Sequence, residues 1–383
     1  MYWSLPSWPT LYLYTAGIAF ILSAFLMPAC VRLLRRYNVM DELSDAKIHS
    51  TPTPRGGGIV IFIAFAVAVI LPNYRDNPMK GVLLGSFICL MVGAIDDLRG
   101  GVPAVIKLGA LTAATLVMSF FGVHLNLFGY YPLDLFLTWL WIVGVTSAFN
   151  GIDNMDGQAA GVAVIVSAMY VTIAVDSYFT AGTETTLSWF GLLASGLIGA
   201  NLGFLLYNFK PAKVFMGDSG SFFLGFTLAA LGVMGEWADH RVVACTIPVL
   251  ILGVPIFDFA YILVTRILKG ETRTIRDVIE HCAPDHLSHR LVWFGFSQRK
   301  AVLFIYMMSF VLGISGLLLR NSTRPFDSFL GLIQGGFILL LIAVLMITAE
   351  SRRARTAAHE AKPILFEVEP ESETEPEDIR KTA

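Results

Sequence analysis

Long apolar runs separated by short polar loops dominate the chain, and eleven of them approach the roughly 20 residues that a helix needs to cross a bilayer. They are centred on Leu11–Leu34, Gly57–Leu71, Gly81–Ile95, Val105–Phe120, Leu135–Phe149, Gly161–Val175, Leu187–Leu206, Phe222–Met234, Val242–Ile267, Val302–Leu319 and Phe329–Ile347. The third, fifth and eighth are short, which leaves their ends soft. The pattern predicts an all-α polytopic integral membrane protein of about eleven transmembrane helices spanning residues 1–350. No internal repeat of the kind many transporters carry is visible. Residues 351–383 break the pattern: from Glu360 onward they are rich in Glu and Pro, and a disordered, acidic cytoplasmic tail is expected.

Composition reinforces this class. Of 383 residues, 55% are hydrophobic and 15% charged, with a mean hydropathy of +0.67. Soluble domains average about 25% charge. Cys30, Cys89 and Cys245 lie in apolar runs and Cys282 in a polar loop, without the paired spacing of a disulfide framework. The segment before Leu11 lacks a basic n-region, so the first run reads as a retained span rather than a cleaved signal. Lys and Arg are sorted by loop. Nineteen flank the membrane on one side, from Arg32 to Arg355, against five on the other. The positive-inside rule then puts the N-terminus outside and the C-terminus in the cytoplasm.

Five polar clusters fall on that cytoplasmic side. Asn150, Asp153 and Asp156 follow an apolar run at three-residue intervals, a spacing that places an amide and two carboxylates on one helix face. No Lys or Arg lies between Lys107 and Lys210, so these acids need a cation or water. Asp96 and Asp97 are adjacent and repel unless a metal or cation intervenes. Asp218 sits among Gly217, Ser219, Gly220 and Ser221 at the start of a span, where backbone N–H groups suit an anionic ligand and the carboxylate suggests a metal with it. Its plainer use is as a helix N-cap. Lys47, His49 and Arg55 flank a Pro- and Gly-rich turn whose glycine backbone a ligand can approach closely, and they offer donors suited to phosphate; the plainer reading is an ordinary basic loop. His286, His289 and Arg290 share a helix face if helical, ready to clamp a diphosphate. A zinc site from His281, Cys282, His286 and His289 fits no familiar spacing, and the surrounding carboxylates favour hard Mg²⁺.

Six segments taken together carry a resemblance: Lys47-IHSTPTPRGGG-Ile59, Ile95-DDLRG-Gly101, Asn150-GIDNMDG-Gln158, Phe215-MGDSGSFFLG-Phe226, Pro255-IFD-Phe259 and Asp285-HLSHRL-Val292. Over about residues 10–350 the chain resembles the polyprenyl-phosphate N-acetylhexosamine-1-phosphate transferase superfamily, and most of all its undecaprenyl-phosphate GlcNAc-1-phosphate branch. The resemblance implies Mg²⁺-dependent (or Mn²⁺-dependent) transfer of N-acetylhexosamine-1-phosphate from a UDP-sugar to polyprenyl phosphate, releasing UMP. It implies candidate catalytic roles for Asp96, Asp97, Asp153, Asp156, Asp218, His286, His289 and Arg290, with Asp96 as a base toward the lipid phosphate. Asn150 and Asp218 become the metal ligands, and Lys47, Arg55, Lys107 and Asn208 the substrate contacts. The setting is a bacterial inner membrane with the site on its cytoplasmic face; a homodimer is compatible, and no nucleic-acid partner is expected. Ser147 departs from the family pattern where Asn is frequent, as do Asn154 for Gly, Gln158 for Leu and Ser288 for His. Alternatives are the phospho-MurNAc-pentapeptide transferase branch and, from another class, a transporter or flippase with a carboxylate relay, whose acids belong near the bilayer midplane.

Overall fold

The computed structural model describes residues 7–41, 52–72, 76–181, 188–235, 237, 241–270, 285–320 and 325–360. Lys47, His49, His281, Cys282 and the Glu- and Pro-rich tail lie outside the described residues. Among those described, the helices are α1 (Trp8–Arg36), α2 (Gly58–Ile70), α3 (Asn77–Arg99), α4 (Ala104–Phe120), α5 (Tyr131–Ile152), α6 (Gln158–Ala181) and α7 (Ser188–Asn208). They continue with α8 (Gly217–Met234), α9 (Arg241–Ile251), α10 (Gly253–Leu268), α11 (Leu287–Phe294), α12 (Gln298–Arg320) and α13 (Pro325–Glu360). One small antiparallel ribbon, β1 (Met40–Asp41) with β2 (Thr53–Pro54), interrupts the helical pattern. The molecule is an all-helical polytopic membrane protein.

Each of the eleven predicted runs falls on helix, but not each is a full span. Eight helices are long and apolar enough to cross a membrane, or nine if α9 and α10 count as one. Helices α2 and α4 have 13 and 17 residues. At 1.5 Å per residue these reach only about 20 and 26 Å, short of a hydrocarbon core of about 30 Å. The ninth run is broken, with α9 and α10 meeting at 87°. Pro255 lacks an N–H and crowds the preceding turn, so the chain reorients at Leu252 before the new helix begins. The last helix runs to Glu360, past the predicted boundary at residue 350. The Ala- and Arg-rich stretch after Ser351 has the propensity to prolong it.

Helix α8 is the axis of the bundle: 89% of its span is buried, against 22% for α1 at the periphery. Small residues allow this. A Cβ on Gly225 would stand 2.8 Å from the Thr146 backbone of α5, and one on Gly58 would stand 2.1 Å from the Gly220 nitrogen. Deeper in, Ser86 of α3 bonds Thr227 of α8 at 2.7 Å, and Phe62 meets Phe223 edge-on at 5.3 Å between centroids. Antiparallel succession then brings the C-terminal ends of α3, α5 and α7 to the same end of the bundle as the N-terminal ends of α4, α6, α8 and α12.

Candidate active site

Three carboxylates meet at that end. Oxygens of Asp96, Asp97 and Asp218 lie within 4.8 Å of one another. Two cations are set among them. The Arg55 guanidinium reaches Asp97 (Nε–Oδ1, 2.7 Å) and Asp218 (Nη2–Oδ1, 2.8 Å), while Lys107 reaches Asp96 (Nζ–Oδ1, 2.8 Å) and also Asp218. The local sum is three negative against two positive charges, in a place where Asp96 is only 4% exposed. A surplus negative charge in low dielectric favours one more cation.

Asp97 has a distinct task. Its two oxygens accept the N–H groups of Asp218 (2.9 Å) and Ser219 (3.0 Å), capping the first turn of α8 from another helix. The N-terminus of α8, expected to cradle an anion, is therefore already occupied by this side chain. Gly217 permits the cap: its φ is +74°, and a Cβ there would stand 2.4 Å from Asp97 Oδ2. The glycine run after Arg55 also serves packing rather than a ligand. The N–H groups of Gly56 and Gly57 donate to the Phe215 carbonyl and that of Gly58 to the Met216 carbonyl. This contact anchors Arg55 in the cluster.

The central loop departs from the helical spacing expected of it. Helix α5 ends at Ile152, so Asn150 lies on the helix and Asp153 just beyond it. Asn150 donates to Ser221 Oγ at 2.9 Å and lies beside Asp218. Asp153 also faces the cluster. Desolvation lifts its carboxyl to about 7, the Asp218 charge adds to the rise and Arg55 opposes it. Asp156 turns away, because Gly157 (φ +78°) reverses the chain. It accepts the Ala212 N–H at 3.0 Å and borders a recess with Lys210 and Arg299. Asn208 is buried with both ends of its amide engaged, accepting from Gly157 N–H and donating to the Val214 carbonyl, each at 2.9 Å. This geometry makes Asn208 a brace for the loop, where a direct substrate contact was expected.

The histidine cluster differs as well. Helix α11 begins at Leu287, so His286 precedes it in extended backbone and does not share a face with His289 and Arg290. His289 is buried within α11. Arg290 donates to Glu350 Oε2 at 2.7 Å and to the Asp285 carbonyl at 2.6 Å, and lies against the Tyr261 ring. Its guanidinium joins α11 to α13 instead of clamping a diphosphate. His286 does face the central loop: a Cβ on Gly151 would stand 2.8 Å from its Cε1.

Two departures from the family pattern turn out to be one contact. Ser288 donates to Asn154 Oδ1 at 2.6 Å, tying α11 to the central loop. Ser288→Ala and Asn154→Ala should each lower stability by about 1 kcal/mol, and the double variant by no more than the larger single loss. Thermal unfolding of the four proteins in detergent measures this; fully additive losses would show that the contact carries no energy. Sequence reasoning also left Asp258 without a role. The available signal was an acid inside an apolar helix, which is by default a functional candidate.

The chain is similar along most of its length to a Bacillus subtilis protein named as a probable undecaprenyl-phosphate N-acetylglucosaminyl 1-phosphate transferase. The two are 35% identical over 352 residues, covering 87% of this chain and 91% of that one. The model of glycosyl transferase family 4 matches residues 79–236, a stretch that holds Asp96, Asp97, Asn150 and Asp218. The chain belongs to glycosyl transferase family 4. Other relatives include a decaprenyl-phosphate N-acetylglucosaminephosphotransferase of Mycobacterium tuberculosis, 29% identical over 76% of this chain and 78% of that one. A phospho-N-acetylmuramoyl-pentapeptide-transferase of Streptococcus pyogenes is 33% identical, over 59% of this chain and 74% of its own. As a family 4 glycosyl transferase the protein is an enzyme, and its carboxylate cluster lies within or against the segment that defines the family.

Proposed function

We propose that this family 4 member transfers N-acetylhexosamine-1-phosphate, with GlcNAc-1-phosphate foremost, from a UDP-sugar to undecaprenyl phosphate and releases UMP. The observation that carries the reading is the meeting of Asp96, Asp97 and Asp218 with Arg55 and Lys107 at one end of the helical bundle. Names of relatives 35% and 29% identical to the chain supply the substrate class. A lipid phosphate sits at headgroup depth and a nucleotide-sugar arrives from water, so a site made of helix ends serves both. We read that end as cytoplasmic, with an odd number of passes, the N-terminus outside and the protein in a bacterial inner membrane.

In this reaction an oxygen of the lipid phosphate bonds to the sugar-bearing phosphorus as the bond from that phosphorus to UMP breaks. One diphosphate replaces another, so the work is to bring two anions together and hold them in line. Arg55 and Lys107 offset phosphate charge, and Asp96, held near the end of α3 by Lys107, is the proposed proton acceptor. The hard oxygen donors fit Mg²⁺ or Mn²⁺. With both Asp97 oxygens committed to the α8 backbone, Asp218, Asp96 and Asn150 would hold the ion, which when bound supplies charge neutralisation at the diphosphate.

Purified protein with undecaprenyl phosphate and Mg²⁺ should release UMP from UDP-GlcNAc, and EDTA should stop it. A panel including UDP-GalNAc and UDP-MurNAc-pentapeptide tests the second reading, favoured by the Streptococcus pyogenes relative. Absence of UMP with every donor, alongside lipid counterflow in vesicles, would replace the enzyme reading with a transporter.

A further inference from the structure

Asp258 lies inside α10 with 1% of its surface exposed, and an isolated charge so placed is costly unless it is paired and hydrogen-bonded. Its partners are few and specific. Oδ2 stands 2.8 Å from His286 Nδ1, and Oδ1 accepts the Leu287 N–H at 2.7 Å. Among the described residues His286 is its one ion-pair partner. The same carboxylate therefore caps the start of α11 and grips the ring just ahead of it. From the other side the ring is set against Gly151, and Ser288 ties α11 to Asn154. Both attachments lie on the stretch around the C-terminal end of α5 that carries Asn150 and Asp153.

We infer that Asp258 is a positioning residue: it holds His286 with the proton on Nδ1, so that Nε2 is presented to the phosphate-bearing substrate at the central loop. This rests on the transfer reaction proposed above. An ionised carboxylate only accepts hydrogen bonds, so the nitrogen facing it must donate. The other ring nitrogen is left as a lone pair in the neutral ring, or as a donor once the ring is charged. His286 keeps 17% of its side chain exposed, and among the described residues Nε2 makes no hydrogen bond. The groups are arranged as in other sites where a buried acid fixes a histidine tautomer through the far nitrogen.

The test uses full-length protein labelled with ¹⁵N-histidine in nanodiscs, with the His286 signal assigned by its loss in His286→Gln; seven histidines keep the spectrum tractable. The wild type should show His286 as the Nδ1–H tautomer. Asp258→Asn, whose amide can donate where the carboxylate accepted, should shift His286 toward Nε2–H. It should also lower kcat on the order of 10²–10⁴-fold, with KM for the UDP-sugar changed far less. Asp258→Glu should recover part of the rate. An Nε2–H tautomer in the wild type would overturn the inference, even if Asp258→Asn cannot be purified. So would an unchanged tautomer and rate in a folded Asp258→Asn. Should no UDP-sugar be turned over, the proposed reaction fails, while the wild-type tautomer still decides whether Asp258 positions the ring.

Discussion

Asp218→Asn should abolish transfer, with a loss on the order of 10³-fold or more, while leaving the protein folded. The side chain keeps its volume but loses the charge that Arg55 and Lys107 converge upon. Folding survives because each cation retains a second partner: Arg55 keeps Asp97 at 2.7 Å and Lys107 keeps Asp96 at 2.8 Å. The backbone cap from Asp97 to Asp218 and Ser219 does not involve the mutated group. UMP release measured beside a thermal unfolding profile separates the two effects. Turnover within tenfold of wild type would remove Asp218 from the chemistry.

Gly93→Ala should do the opposite, destroying the fold that the first variant spares. A Cβ at position 93 would stand 2.2 Å from the Asp218 carbonyl oxygen and 2.5 Å from the Ser219 nitrogen. These are backbone atoms of the axial helix, so no side-chain rotation relieves the clash, and α3 must separate from α8. Overpacking in a tight core costs about 1–3 kcal/mol or more. Here the separation also strains the Asp97 cap and the Ser86–Thr227 bond at 2.7 Å. The expected result is a sharp fall in monodisperse protein after extraction, with activity lost alongside. Gly109→Ala in α4 is the control: nothing lies within 4 Å of its Cβ, and a helix-interior glycine exchanged for alanine gains up to about 1 kcal/mol. Equal yields from both variants would refute the close crossing of α3 and α8.

The grip of Asp97 on α8 changes how the adjacent acids are read. In sequence they are equivalent, and repulsion between them suggested a shared ion. In space Asp96 points to Lys107 and the Val102 N–H, whereas Asp97 serves the α8 backbone and Arg55. One faces the cations of the cluster and the other holds a neighbouring helix in place. The same division separates His286, which faces the loop, from Arg290, which fastens α11 to Glu350.

Much was legible in the chain itself. Apolar run length located the helices because a bilayer demands about 20 apolar residues wherever the chain crosses, a purely local requirement. The motifs around Asp96, Asn150, Asp218 and His286 pointed to one site because all of them fall in loops or helix ends on the side that the positive charges mark as cytoplasmic. Local rules failed where a distant backbone decided the outcome. Three-residue spacing suggested that Asn150, Asp153 and Asp156 converge, but the helix stops at Ile152 and Gly157 turns Asp156 toward Ala212. The glycines after Arg55 looked like a ligand cradle, yet their N–H groups are taken by Phe215 and Met216, far along the chain. Hydrophobicity and propensity, in short, act on neighbours and can be read from order alone. Which carboxylate meets a cation, a backbone or a histidine depends on contacts between different elements, such as Asp258 with His286, Asp97 with Ser219 and Ser288 with Asn154, and these exist only once the helices have packed.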